Sequence, residues 1–530
     1  MSPEAVAVPP VRKDEFLGHP KGLYICFFTE MWERFSFYGM KALLLLYLIK
    51  YHLFTDEHGY NLIGAYGGLV YAMPVIGGLI ADRWLGMRKA VVFGGILLVL
   101  GHLGMAIEGT PASSANGVVV RDEGALQFFY FSLALIILGV GFLKPNISTI
   151  VGKLYPEGDP RRDSGFTIFY AGINIGATAS GLVCGWLGET YGWGWGFGAA
   201  GVGMLAGLAN FIYGQKYLKG HAEPREPGRL RERVLGPLSR EHLIYLGSLA
   251  GLVVIWGLIQ AHSVFLAIIP GAFEPSPVLL AMHTISACLL GGILWFMFTR
   301  CTKVERDQMF VVLAFIGFCL LFFTLYEQTY GSWVLFSDRV MNQQAFGVRW
   351  SAAELTSLGA FFILVLAPFF AWLWPRLDAR GWNPSKPAKS GYGLMLAGLA
   401  FLVLVWSARH PEANGLTSIW WFVFAYFVLE VGEMLLSPIG LSAVTELSVP
   451  RVVGLMMGGW FLGTSYSEVL AAQLGKLSAI EVPEGEVLNI ADALAKYEAL
   501  FVFSAQIGIV SGIVVLVLTP PIKRWMHGKS

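Results

Sequence analysis

Apolar stretches of about twenty residues recur along the whole of this 530-residue chain. At about 1.5 Å per helical residue, each is long enough to cross the hydrocarbon core of a bilayer. Fourteen can be delimited, at about 23–49, 60–81, 90–108, 125–150, 165–188, 193–214, 242–261, 278–298, 309–330, 351–374, 391–408, 417–445, 452–475 and 499–521. In lipid every backbone N–H and C=O must be satisfied within the spanning segment, which dictates helices. The expected fold class is therefore an all-α polytopic membrane protein. Composition points the same way, with 55% hydrophobic and only 14% charged residues, against about 25% charged in soluble domains.

Residues 1–20, MSPEAVAVPPVRKDEFLGHP, carry proline and charge but no apolar core, so no signal peptide is expected. The net charge of +1 points to no nucleic-acid partner, and the five cysteines show no CxxC or other metal spacing. No cofactor and no metal are expected.

Orientation follows from the lysines and arginines. With the N-terminus inside, the cytoplasmic segments hold 27 of them and the outer segments seven, while Arg34, Lys41 and Lys144 lie inside spans. The topology is N-in and C-in. The densest basic loop, residues 216–240, is polar and proline-rich. It reads as a topology-setting linker in preference to a lipid- or calmodulin-binding helix.

The chain thus divides into a six-span bundle (1–214), a cytoplasmic linker (215–241), a two-span hairpin (242–298) and a second six-span bundle (299–530). Six plus six is the repeat arrangement of many secondary transporters. Gly139 precedes Pro145 by six residues in the fourth span, and Gly432 precedes Pro438 by six in the twelfth. Proline removes a ladder hydrogen bond at matched positions of the two halves, where transporters tend to place binding sites.

The first span contains EMWERFSFYG, residues 30–39. A charged group at the bilayer centre costs about 2.5–3.5 kcal/mol on insertion scales. At about 100° per residue, Glu30, Glu33, Arg34 and Lys41 share one face, which predicts a cavity or a partner on that side. Other spans supply Lys144, Glu327 and Glu433. By residue counting, Lys41 and Glu327 both fall in the outer third, whereas Lys144 and Glu433 both fall deeper toward the inside. Each pair is opposite in sign, similar in depth and drawn from opposite halves, as two alternating gates require. The competing reading is structural, with buried ion pairs joining helices. Glu430 is left unassigned, and His102, alone in its span, reads as a packing residue.

Glu30-x-x-Glu33-Arg34-Phe35-x-x-Tyr38-Gly39 resembles the signature of the proton-dependent oligopeptide transporters, within the major facilitator superfamily. The likeness continues through GGLIADRWLG (77–86), FLKPNIS (142–148), FYAGINIG (169–176), APFFAWLW (367–374) and GEMLLSPIGLSAVTEL (432–447). The extra hairpin resembles that of bacterial members. The resemblance implies a symporter that imports di- and tripeptides with protons by alternating access, as a monomer in a bacterial inner membrane. Glu30, Glu33 and Arg34 would couple proton and peptide movement. Arg34 and Lys144 would attract the peptide carboxylate and Glu433 its amino end, with Tyr38, Tyr71, Asn174 and Trp460 lining the cavity. Lys41 with Glu327 would close the outer gate, and Lys144 with Glu433 the inner one.

Phe37 stands where the signature commonly has tyrosine, Lys41 replaces the more usual arginine, and Phe323 and Gly359 occupy positions where some members have Trp and Asn. A zwitterionic peptide needs cations at one end and an acid at the other, so Glu433 favours peptide over the alternative cargo, nitrate or another small anion. A non-transporting sensor is the other alternative. An enzyme is not expected: there is no HExxH and no GxSxG. The GFGAAG run (196–201) opens an apolar span with no strand before it, so it reads as close helix packing and not as a dinucleotide loop.

Overall fold

The structure is a computed structural model describing residues 14–528 apart from 116, 157, 219, 225, 262–276 and 482–486. The part of residues 1–20 before Asp14 and the connection within the 242–298 hairpin lie outside the described residues. Long helices follow the apolar runs closely. In the first half these are α1 Lys21–Lys50, α2 Asp56–Ile80, α3 Met87–Met105, α4 Glu123–Lys153, α5 Arg161–Ser180 and α6 Trp193–Gly214. The hairpin supplies α7 Arg240–Gln260 and α8 Pro277–Arg300. The second half holds α9 Lys303–Tyr326, α10 Ser357–Ala379, α11 Lys386–Arg409, α12 Ile419–Leu447, α13 Val453–Gly475 and α14 Ile490–Trp525. Strands are confined to short two-stranded pairings in the connections.

Eleven of the long helical segments among the described residues are apolar enough to qualify as spans on length and hydropathy. The first helix is not among them, and the reason is chemical: it carries Glu30, Glu33, Arg34 and Lys41. Those charges are affordable because α1 is enclosed. It packs against α5 and α6 and touches α2 and α4. Leu43 to Leu46 are all 1% exposed or less. By contrast α7 and α8 show long exposed apolar faces, including Val253, Val254, Trp295 and Phe298, as helices on the lipid side of a bundle must.

Within each half the helices pack in corresponding pairs: α3 with α4 in the first, α11 with α12 in the second. The halves meet along α2 against α13 and α5 against α10. Two six-helix halves thus face each other, with the hairpin set against α4 and α13.

Pro145 does not break its helix, and α4 runs through it to Lys153. A proline has no N–H to give the carbonyl four residues earlier, here that of Gly141. The backbone of α2 packs against that carbonyl. Gly77 of α2 lies so close that a Cβ there would stand 2.0 Å from the Gly141 oxygen. Small residues at such crossings let helices in a bilayer approach, since hydrophobic exclusion does not drive them together. The matched Pro438 likewise lies within a continuous helix, α12.

Gly77→Ala should push α2 off α4 and cost on the order of 1–3 kcal/mol, the usual penalty for overpacking. The measurement is the thermal unfolding midpoint of the purified protein in detergent, which should fall relative to the unmodified chain. Gly78→Ala is the control, because its Cβ would meet only Pro145 at an ordinary 3.4 Å.

Candidate functional site

The charges of α1 form two groups one above the other. In the deeper group, the Arg34 guanidinium is held in a fork by Glu33: Nη2 donates to Oε1 at 2.7 Å and Nε donates to Oε2. Glu30, one turn earlier, places Oε1 3.3 Å from Nε. All three are essentially sealed, at 4% exposure or less. The guanidinium also lies over the rings of Phe37 at 5.0 Å and Tyr38 at 5.8 Å. An i, i+4 carboxylate and an adjacent one are both available to Arg34 from a single helix, so this group assembles without a partner element. Two carboxylates thus share one cation.

The outer group needs three elements. Lys41 Nζ donates to Glu327 Oε2 and to Glu468 Oε1, each at 2.7 Å. Glu327 is presented where α9 tightens into a short 3₁₀ turn, Glu327–Tyr330. Glu468 comes from α13 and fits because Gly67 faces it: a Cβ on Gly67 would stand 2.6 Å from Glu468 Oε2. The ammonium also lies 4.8 Å from the centre of the Tyr330 ring. Sequence reasoning missed Glu468. The signal was present, since SYSEVLAAQ is a lone carboxylate in an apolar run of the same kind as Glu327.

This knot ties the two halves together, and it is not alone. Arg339 donates to both oxygens of Asp56 at 2.6 and 2.7 Å, and Lys50 reaches Asp338 at 2.5 Å. Gln473 donates to Asn61 and Ser465 to the Gly68 carbonyl. By the positive-inside orientation, the hydrogen bonds and ion pairs described between the halves all belong to the outer part of the molecule. The described state is closed to the outside.

Beneath the knot, between α1, α2, α4 and α5 on one side and α9, α10, α12 and α13 on the other, is a cavity of about 300 Å³. Tyr38, Tyr71, Lys144 and Asn174 line it from the first half, Glu433 and Trp460 from the second. Glu327 contributes to its roof. Lys144 Nζ sits 4.2 Å from the centre of the Tyr71 ring, and Asn174 is fixed by donating to the Tyr170 carbonyl at 3.1 Å. Trp460 packs where Gly440 leaves room, a Cβ there being 2.6 Å from the indole.

The structure places Arg34 apart from the cavity and leaves the expected inner pair open. Arg34 does not line the cavity, because Glu30 and Glu33 hold its guanidinium behind the wall that Tyr38 forms. Lys144 and Glu433 form no ion pair among the described residues, although both line the same chamber. With the outer ends of the halves drawn together by Lys41, the deeper pair stands apart on opposite walls. Glu430, left unassigned from sequence, is wholly buried one turn from Glu433.

A helical bundle built as two halves around a central charged chamber, sealed at one end by ion pairs between them, is a membrane transporter of the major facilitator type. The sequence model of the POT family matches residues 88–481, and the chain belongs to that family. It is 34% identical over 526 residues to the uncharacterized transporter YclF of Bacillus subtilis, covering 98% of this chain and 97% of that protein. It is 34% identical to a di-/tripeptide transporter of Lactococcus lactis, with 96% and 97% covered. To the peptide transporter YePEPT of Yersinia enterocolitica it is 32% identical, with 97% and 96% covered. Among solved structures it resembles a peptide transporter POT in complex with sulfate, at a TM-score of 0.76, 33% identity and 97% of both chains. It also resembles a POT family transporter in complex with a thioalcohol-conjugated peptide, at a TM-score of 0.77, 27% identity and 96% and 98% coverage.

Removing the cation from the outer knot should be worse than removing either acid. Lys41→Gln leaves two buried carboxylates facing each other, a cost of about 3–5 kcal/mol for an uncompensated buried charge. Glu468→Gln leaves the Lys41–Glu327 pair intact. Thermal unfolding in detergent should therefore rank Lys41→Gln well below Glu468→Gln, with the latter closer to the unmodified protein.

Proposed function

We propose that this protein is a proton-coupled symporter of the plasma membrane that imports di- and tripeptides by alternating access, a single chain forming the complete pathway. The observation that carries this reading is the polarity of the cavity. Lys144 stands on the wall of one half and Glu433 on the wall of the other. A peptide of two or three residues presents a carboxylate and an ammonium at its ends, so such a chamber attracts both termini whatever the side chains between them. Nitrate or a sugar would leave Glu433 without a cation. A volume of about 300 Å³ lies at the lower end of the usual range for small-molecule sites, which favours short peptides. The printed names of the Lactococcus and Yersinia relatives, which describe di-/tripeptide and peptide transporters, support the same cargo.

In this scheme Lys144 takes the peptide carboxylate and Glu433 its amino end, while Tyr38, Tyr71, Asn174 and Trp460 shape the space between. Arg34 acts from behind Tyr38 through its hold on Glu33 and Glu30. A proton arriving at that group neutralises one of two carboxylates, changes how firmly Arg34 is held, and so links protonation to the wall of the cavity. Lys41, Glu327 and Glu468 close the outer side. As the outer knot parts, the inner ends approach and Lys144 can meet Glu433 when no peptide separates them. Peptide is moved and not cleaved.

The test is uptake of labelled dialanine into liposomes containing the purified protein under an imposed inward proton gradient. Dialanine should accumulate above its equilibrium level, and a protonophore should abolish the excess. No uptake by folded, reconstituted protein would turn attention to nitrate or another anion, and then to a sensor role. Glu33→Gln should lose gradient-driven accumulation while retaining exchange of labelled for unlabelled peptide. Loss of both would mean that Glu33 serves chiefly to hold the fold.

A further inference from the structure

One buried acid in the cavity wall has no part in the scheme above. Glu430 lies on α12 one turn before Glu433 and is 0% exposed. Its carboxyl occupies the space beside Gly359 of α10, where a Cβ would stand 2.8 Å from Glu430 Oε1 and 3.2 Å from the Tyr326 hydroxyl. Any side chain at 359 would compete for that space, so Gly359 and Glu430 fit as a pair.

Glu430 and Glu433 lie within side-chain reach of one another. Both oxygens of Glu430 and Oε2 of Glu433 lack a hydrogen bond of standard geometry among the described residues, although the Tyr326 hydroxyl stands beside both carboxyls. The titratable groups facing Glu430 are Glu433 and Tyr426 of its own helix, Tyr326 of α9 and Tyr170 of α5. Glu327 and Cys319 act on Glu433. Across the α11 side, Gly393 and Leu396 pack against Gly432. No lysine or arginine is among these neighbours. Two ionised carboxylates side by side in a dry wall, with no cation, repel each other and forfeit their hydration. One proton between them removes a charge and lets one carboxyl donate to the other, beside the single hydroxyl that Tyr326 offers to both.

We infer that Glu430 is a positioning residue for the peptide's amino end: it is held protonated and donates its O–H to Glu433, which it keeps ionised and aimed into the cavity. The empty anchor then carries one negative charge, matched to one ammonium, and Gly359 is the vacancy that lets Glu430 take this position. The inference rests on the reading of Glu433 as the amino-end anchor, and the two can fail separately.

The experiment measures displacement of labelled dialanine from the purified protein by unlabelled dialanine and by N-acetyl-dialanine, which has no ammonium. Glu430→Ala should weaken dialanine about tenfold or more and N-acetyl-dialanine little. Glu430→Gln, which keeps a neutral donor in the same place, should restore most of that loss. Because Glu430 and the glutamine carry the same charge, the ratio of their dialanine affinities should stay constant from pH 5.5 to 7.5. Gly359→Ala, which displaces the carboxyl without removing it, should mimic Glu430→Ala in direction and serves if the alanine variant does not fold.

A tenfold loss in Glu430→Gln would overturn the inference, because the charge of Glu430 would then be what matters. Equal weakening of both ligands, or no effect of Glu430→Ala, would overturn it as well. If Glu433→Gln fails to weaken dialanine selectively over N-acetyl-dialanine, the anchor reading itself fails, whatever the Glu430 variants do.

Discussion

The Lys41 ammonium, bound at once by Glu327 and Glu468, is the contact on which the rest of the described state depends. It lies at the junction of α1 with elements of the opposite half, and it is almost dry. Such a contact is strong only while all its members are in place, because each partner left alone would be a bare charge in a medium of low dielectric. Closing it draws the outer ends of the halves together. The chamber beneath is thereby shut from above and Lys144 is kept apart from Glu433. In an alternating-access scheme, with two bundles rocking about a central site, opening the outer side would require this contact to part.

Charge in this protein is arranged by distance from solvent and by how many elements must agree to form each group. The Arg34 group is local: one helix supplies all three residues, and it survives any movement of α1 as a unit. The Lys41 group is shared between the halves. The Glu430–Glu433 pair belongs wholly to the second half. A transporter that couples a proton to a substrate needs at least one group that remains intact while its protonation changes and one that exchanges partners. Under the proposed function, the first and second groups would supply those two properties. Glycines set the distances throughout, at Gly67 for the Glu468 carboxyl, Gly440 for the Trp460 indole and Gly359 for Glu430.

Much of this was legible before any coordinates. Apolar runs located the long helices, although the last helix begins at Ile490, nine residues before its run, because a bilayer sets a minimum length but not where a helix ends outside it. The face shared by Glu30, Glu33, Arg34 and Lys41 follows from helical geometry alone. Residue counting brought Lys41 and Glu327 to the same depth, and they are in contact. Glu468 escaped notice although it carried the same signal as Glu327. The close approach of α2 to the Gly141 carbonyl beside Pro145 was also not legible, because it depends on how two separate helices pack.

The sequence by itself determined the class of fold, the orientation in the membrane and the list of ionisable residues that must be buried. These follow from local rules: the length of an apolar run, the count of basic residues between runs, the cost of charge in hydrocarbon. Only the tertiary structure decided which acid meets which base. It turned Arg34 away from the cavity, gave Lys41 two partners where one was expected, left Lys144 and Glu433 unpaired, and placed Glu430 in the vacancy at Gly359. The reason is that an ion pair between helices depends on the rotation and separation of both. Those are set by packing that no single span encodes.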